Sequence, residues 1–167
     1  MSKLVFPFAV TTDRVEQTEA FGARLARLVL DDASLPRYVA LAGNLGVGKT
    51  AFVRGFASVI APGVAVRSPT FALVNEYRAA GMPPVFHFDM YRITSEDDLY
   101  SIGYDDYLDR GICLVEWSEN VPYAMPDEFL RVLIEKTDPS EPDTRRITVT
   151  SEHSSRLQGE NDVYSFT

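Results

Sequence analysis

Eight residues constrain this chain more than any others. Gly43, Asn44, Leu45, Gly46, Val47, Gly48, Lys49 and Thr50 match G-x-x-x-x-G-K-[ST] at every fixed position. The pattern has a physical content. Glycines let the backbone take positive φ, so that successive N–H groups turn inward toward phosphate oxygens. Lys49 brings a positive charge to the terminal phosphates, and the Thr50 hydroxyl suits Mg²⁺. A helix that starts at such a loop aims its partly positive N-terminus at the same anion. Both flanks meet the requirement. Residues 38–42 form a short apolar run suited to a buried strand. Phe52, Val53, Phe56, Val59 and Ile60 then follow at helical spacing until Pro62 and Gly63. All eight loop residues are therefore expected to bind the phosphates of a nucleotide.

At 167 residues the chain has the size of one domain. That is long enough to bury a core without disulfides or a structural metal. Its one cysteine, Cys113, lies in the apolar run 112–115 and reads as a buried, reduced thiol. The N-terminal apolar stretch 4–10 is too short to span a membrane and has no small-residue cleavage site, so a cytoplasmic protein with no membrane partner is expected. The net charge of −8 is uneven. Residues 1–80 carry nine Lys and Arg against six Asp and Glu, and residues 81–167 carry seven against eighteen. An acidic chain without a basic stripe is a poor autonomous binder of nucleic acid, whose affinity rests on neutralising phosphates.

Periodicity and punctuation give an alternation of strands and helices. Strands are expected over 3–10, 38–42, 71–78, 85–89, 112–116, 129–136 and 145–150, the third and fourth as a hairpin. Helices are expected over 13–30, after Thr50, and over 95–102. Asp13 and Glu16 have capping-box spacing, and Ser95 is the N-cap of the last helix, with Gly103 beyond its end. The fold class that follows is α/β, a P-loop NTPase fold in a single domain, with a central mixed, largely parallel sheet flanked by helices. That domain is assigned to residues 1–150, and 151–167 are read as a polar C-terminal tail.

A nucleotide site needs a carboxylate as well as Thr50 to hold Mg²⁺, delivered at the end of a neighbouring strand. Two acids compete. Asp89 ends the run 85–88, and Glu116 ends the run 112–115. The bland alternative for each is a strand-end ion pair, Asp89 with Arg92 for instance. The acids from Glu96 to Asp109 read as a solvated or docking face. His87 and His153 are isolated, without partners at zinc-ligand spacing.

Four features now stand in order: the loop 43–50, then Ser68-Pro69-Thr70-Phe71, then His87-Phe88-Asp89-Met90-Tyr91-Arg92, then Glu116-Trp117. Together they resemble the TsaE family, formerly YjeE, over roughly residues 12–134. This is the small bacterial ATPase of tRNA threonylcarbamoyladenosine (t6A) synthesis. The phosphate loop is generic, whereas the other three at these separations are specific. The resemblance implies an ATPase that uses ATP and Mg²⁺ and works with the TsaB–TsaD heterodimer, tRNA being met only indirectly. It further implies a switch segment of Ser68, Pro69, Thr70 and Phe71, Mg²⁺ service by Thr50 and Glu116, and catalytic roles for Lys49 and for Asp89 beside the γ-phosphate and its attacking water. Trp117 would be an aromatic beside the site. Met90 stands where leucine is common in the family.

Three other readings are compatible with the loop alone. A small-molecule kinase would need an arginine-bearing lid, and Arg145-Arg146 is the one adjacent basic pair. A GTPase would need Asn-Lys-x-Asp, where this chain has Glu135-Lys136-Thr137-Asp138. A nucleotide-sensing interaction module would need no catalysis at all.

Overall fold

The computed structural model describes residues 5–154. Seven strands form one sheet: β1 Phe8–Thr12, β2 Tyr38–Ala42, β3 Val74–Tyr77, β4 Val85–Asp89, β5 Ile112–Glu116, β6 Glu128–Lys136 and β7 Arg145–His153. Their order across the sheet is β1-β7-β6-β2-β5-β4-β3. The four central strands β6, β2, β5 and β4 run parallel, and each outer pairing is antiparallel. The sheet is thus mixed, as expected, but not largely parallel: three of its six pairings are antiparallel, and the parallel part is confined to the centre. Three of those strands are buried at every position, as parallel strands covered on both faces must be.

Alternation along the central strands builds two cores. Val39, Leu41, Val85, Ile112 and Leu114 face a layer made by α1 (Val15–Asp31) and α2 (Lys49–Ile60). Ala40, Phe86, Phe88, Cys113 and Val115 face α3 (Glu96–Ser101) and α4 (Tyr104–Leu108) through Leu99 and Tyr104. The two long helices cross on glycines. A Cβ at Gly22 would lie 2.2 Å from the Phe52 carbonyl oxygen, and one at Gly55 would lie 1.8 Å from that of Glu19. This contact fixes α2, and with it the phosphate loop, against α1.

Several expectations need correction. β1 begins at Phe8, not at residue 3, and residues 3 and 4 lie outside the described residues. The capping box on Asp13 does not form. Arg14 is the N-cap of α1 without a side-chain bond, and the Asp13 N–H instead donates to Oε1 of Gln17. β3 begins at Val74 because residues 69–73 close into a turn, with the Leu73 N–H on the Pro69 carbonyl and Leu73 at φ +65°. β7 continues past Thr150 to His153, pairing with Glu128 of β6; residues 155–167 lie outside the described residues. The acidic stretch holds a helix that was not expected, α4, whose Tyr104 is buried while Asp105 and Asp106 face solvent. Ser95 does cap α3, with Asp98 as its reciprocal partner.

Candidate functional site

The site is built at the carboxyl ends of the parallel strands, where open α/β sheets bind ligands. β2 runs into Gly43 (φ +137°), and the loop turns through Gly46 (φ +75°) and Gly48 (φ +113°) into α2. Gly43 is needed for a second reason. A Cβ there would lie 2.4 Å from the Ile134 carbonyl oxygen of β6. Gly48 is the N-cap of α2 and has no side chain to satisfy the first helical N–H groups, so these remain for an anion. Lys49 is buried, and its Nζ donates to the carbonyls of Gly43 (2.5 Å) and Asn44 (3.1 Å). It also lies 4.8 Å from the centre of the Trp117 ring.

A cleft of about 460 Å³ opens beside this loop. It is lined by Leu45, Gly46, Gly48, Lys49 and Thr50 on one side, and by Ser68, Thr70, Asp89, Tyr91, Glu116 and Trp117 on the other. The expected residues Lys49, Thr50, Ser68, Thr70, Asp89 and Glu116 are therefore brought together. Pro69 and Phe71 are not among the lining residues. Phe71 is 84% exposed, and the Arg92 guanidinium sits 4.6 Å from its ring centre. An Asp89–Arg92 ion pair does not form. Asp89 instead accepts the Tyr91 N–H on Oδ1 (3.0 Å) and the Ser68 hydroxyl on Oδ2 (3.3 Å). The parallel register sets Asp89 beside Glu116, so the cleft holds both carboxylates of the two competing strand ends.

Glu116 is buried, and its Oε1 lies at hydrogen-bond distance, 2.8 Å, from Nε2 of His87. His87 is fully buried on β4, two residues before Asp89 and on the same face. Its Nδ1 meets the Tyr77 hydroxyl at 3.1 Å. The Arg67 carbonyl, immediately before the Ser68 turn, accepts the Asn75 amide (3.0 Å) and lies 3.4 Å from the Tyr77 hydroxyl. Burial pushes the Tyr77 hydroxyl above its ordinary range, so it stays protonated. From sequence, His87 stood only as part of the motif 87–92 and as a histidine without zinc-ligand partners, and Tyr77 was not singled out. The signal that was available is the i, i+2 spacing of His87 and Asp89 on one strand.

Trp117 takes the left-handed conformation (φ +58°), rare for a large side chain, and leads into a 3₁₀ turn at Ser118–Asn120. Asn120 then donates to the Met90 carbonyl while the Met90 N–H reaches the Glu116 carbonyl, so the two strand ends that carry the acids are tied together. Trp117 packs against Tyr91 at 5.1 Å between centroids, the rings tilted by 59°, and lies over Lys49.

The rival features find local uses. Arg145 donates through Nε to the Val47 carbonyl at 2.7 Å, and its Nη1 meets the carbonyls of Pro142 and Thr144, so it buttresses the phosphate loop. Asp138 accepts the N–H and hydroxyl of Ser140 at 2.8 and 2.7 Å in a tight turn. Cys113 is buried, and burial pushes its thiol up to about 12, so it is not a thiolate near neutral pH. Among the described residues no helix is long and apolar enough to cross a membrane.

Known proteins resemble this chain over most of its length. The TsaE tRNA threonylcarbamoyladenosine biosynthesis protein of Bacillus subtilis is 36% identical over 137 residues, covering 81% of this chain and 80% of that protein. Its counterpart in Haemophilus influenzae is 38% identical over 120 residues, covering 71% and 75%. The crystal structure of Bacillus subtilis YdiB superposes with a TM-score of 0.66 at 29% identity, over 95% of this chain and 93% of that one. The family model for threonylcarbamoyl adenosine biosynthesis protein TsaE matches residues 12–147, and the chain belongs to the TsaE family of tRNA t6A biosynthesis.

Proposed function

We propose that this chain binds ATP with Mg²⁺ and hydrolyses it as the ATPase subunit of the bacterial t6A machinery, acting in the cytoplasm with the TsaB–TsaD heterodimer. The observation that carries the reading is the convergence of Lys49, Thr50, Asp89 and Glu116 on one cleft beside a phosphate loop. The donor set fits the metal, because a threonine hydroxyl and a carboxylate are the hard oxygen ligands that Mg²⁺ takes. Thr50 and Glu116 would hold it, and when bound it would supply positive charge to offset that of the phosphates.

The chain's own residues do the rest. The N–H groups of residues 43–50 surround the phosphates. Lys49 exchanges the carbonyls of Gly43 and Asn44 for phosphate oxygens. Asp89, held on both oxygens by Tyr91 and Ser68, accepts a hydrogen bond from the attacking water and orients it toward the γ-phosphate. Ser68 thereby links the segment 68–71 to the state of the phosphate.

The test is hydrolysis and binding measured together. Asp89→Asn is expected to keep ATP affinity within about threefold and lose turnover by 10²-fold or more, the lower range for a positioned proton acceptor. Glu116→Gln is expected to raise the Mg²⁺ concentration required. The reverse pattern exchanges the two roles, and two silent variants overturn the site assignment. Competition of ATP by GTP checks the base preference.

A further inference from the structure

We propose that His87 is a positioning residue for Glu116, and that with Tyr77 it joins the metal-facing carboxylate to the root of the Ser68–Phe71 segment. This rests on the reading of Glu116 as a carboxylate that serves Mg²⁺. The geometry is a single buried line of polar atoms across three strands: Glu116 Oε1, His87 Nε2 at 2.8 Å, His87 Nδ1 to the Tyr77 hydroxyl at 3.1 Å, and the Arg67 carbonyl at 3.4 Å.

Proton bookkeeping gives the line a direction. An ionised Glu116 has only acceptors, so Nε2 of His87 carries the proton it donates. Nδ1 is then the acceptor for the Tyr77 hydroxyl, and the Arg67 carbonyl is left to the Asn75 amide at 3.0 Å. Tyr77 has one proton and two acceptors within reach. A movement of the segment that brings the Arg67 carbonyl closer draws the hydroxyl away from Nδ1 and loosens the hold on His87. The bond to His87 is the one hydrogen bond that the Glu116 carboxylate makes among the described residues, and it engages Oε1 alone. It therefore selects the rotamer while leaving Oε2 for a ligand. Hydrogen-bonded partners behind a metal ligand orient it in this way, and losing one typically costs about 10–100-fold in metal affinity.

A histidine in a core is often only packing, and His87 has no exposed surface. Two substitutions of similar disruption separate the roles. The amide nitrogen of His87→Gln reaches nearly where Nε2 stands, so it retains the bond to Glu116. The shorter His87→Asn places its amide near Nδ1, facing Tyr77, and cannot reach Glu116. The measurement is calorimetric titration of ADP into each folded variant with increasing Mg²⁺ and with EDTA, and no turnover is involved.

The expected result for H87N is a half-saturating Mg²⁺ raised about 10–100-fold, with affinity in EDTA changed less than about threefold. H87Q is expected within about threefold of the parent under both conditions. On an E116Q background, H87N should add nothing to the Mg²⁺ requirement. Tyr77→Phe, which retains the ring, should give an intermediate rise. Equal loss in Mg²⁺ and EDTA for both His87 variants, or the same added loss on the E116Q background, overturns the proposal and reduces His87 to packing. If E116Q itself leaves the Mg²⁺ requirement unchanged, the metal assignment of Glu116 has failed, and the proposal falls with it.

Discussion

Lys49 is the residue whose surroundings say most about how the cleft works. It is buried, held by two loop carbonyls, and covered by the Trp117 ring. Binding a phosphate therefore exchanges two neutral acceptors for a charged one at a site already desolvated. Hydrogen bonds to charged groups are worth about 1.5–3 kcal/mol, or roughly 10–100-fold in Kd. Lys49→Ala should lose about that much nucleotide affinity in Mg²⁺ and in EDTA alike, because the lysine acts on the phosphate directly. Thr50→Ala should lose affinity chiefly when Mg²⁺ is present, because its hydroxyl acts through the metal. Calorimetric titration of ADP under both conditions checks the pair, and equal loss for Thr50→Ala in both removes Thr50 from the metal.

At the scale of elements, the site depends on how α2 is seated. Gly22 and Gly55 let α1 and α2 approach until backbone meets backbone, at 2.2 and 1.8 Å from where a Cβ would stand. Gly55→Ala must push the helices apart, since a carbonyl cannot turn aside as a flexible side chain can. Overpacking of this kind costs about 1–3 kcal/mol, and in a domain of this size each kcal/mol lowers Tm by roughly 2–4 °C. Because α2 begins at Lys49, nucleotide affinity should fall in the same variant; thermal melts with and without ADP measure both. A Tm unchanged within 1 °C would show that the helices yield without strain.

The same scale explains what could be read from the sequence. The bounds of β2, β4 and β5 were legible because each is a short apolar run, interrupted only by His87 in β4, that is ended by a glycine or an acid. The phosphate loop, Asp89 and Glu116 were legible because they stand at those ends. The start of β3 was not, because the turn that displaces it is stabilised by the Leu73 carbonyl accepting the Asp89 N–H, a contact between elements. α4 was hidden because it contains Asp105 and Asp106 and is followed by Asp109, and its apolar residues Tyr104, Tyr107 and Leu108 pack only when the sheet is present. The line from Glu116 through His87 to Tyr77 joins three strands, and cross-strand pairing has no local signature.

At the scale of the whole molecule, the cleft is short of positive charge. Its lining residues include one cation, Lys49, against two carboxylates, Asp89 and Glu116. Phosphoryl transfer needs the charge on the transferring group to be cancelled, and the protein adds little covalent chemistry. On the proposed function, Mg²⁺ would supply part of that cancellation. Neither nearby arginine lines the cleft: Arg92 lies over Phe71, and Arg67, just before the turn, is exposed. Meanwhile Leu45 at 76%, Phe71 at 84% and Tyr91 at 56% exposure leave apolar surface around the opening. A docking partner that covers these residues would order the segment 68–71, exclude water and bring in charge. The proposed partner is the TsaB–TsaD heterodimer. Steady-state ATP hydrolysis is expected to be slow for the chain alone and to rise when the heterodimer is added. An arginine supplied in trans is worth about 10³–10⁵ in rate, whereas ordering alone would raise turnover by less. Leu45→Ser and Phe71→Ser should each reduce the stimulation by the heterodimer by a larger factor than they reduce the slow intrinsic rate. Rapid turnover by the chain alone, unchanged by the heterodimer, would mean that the cleft is complete as it stands and that its charge is balanced by groups already in this fold.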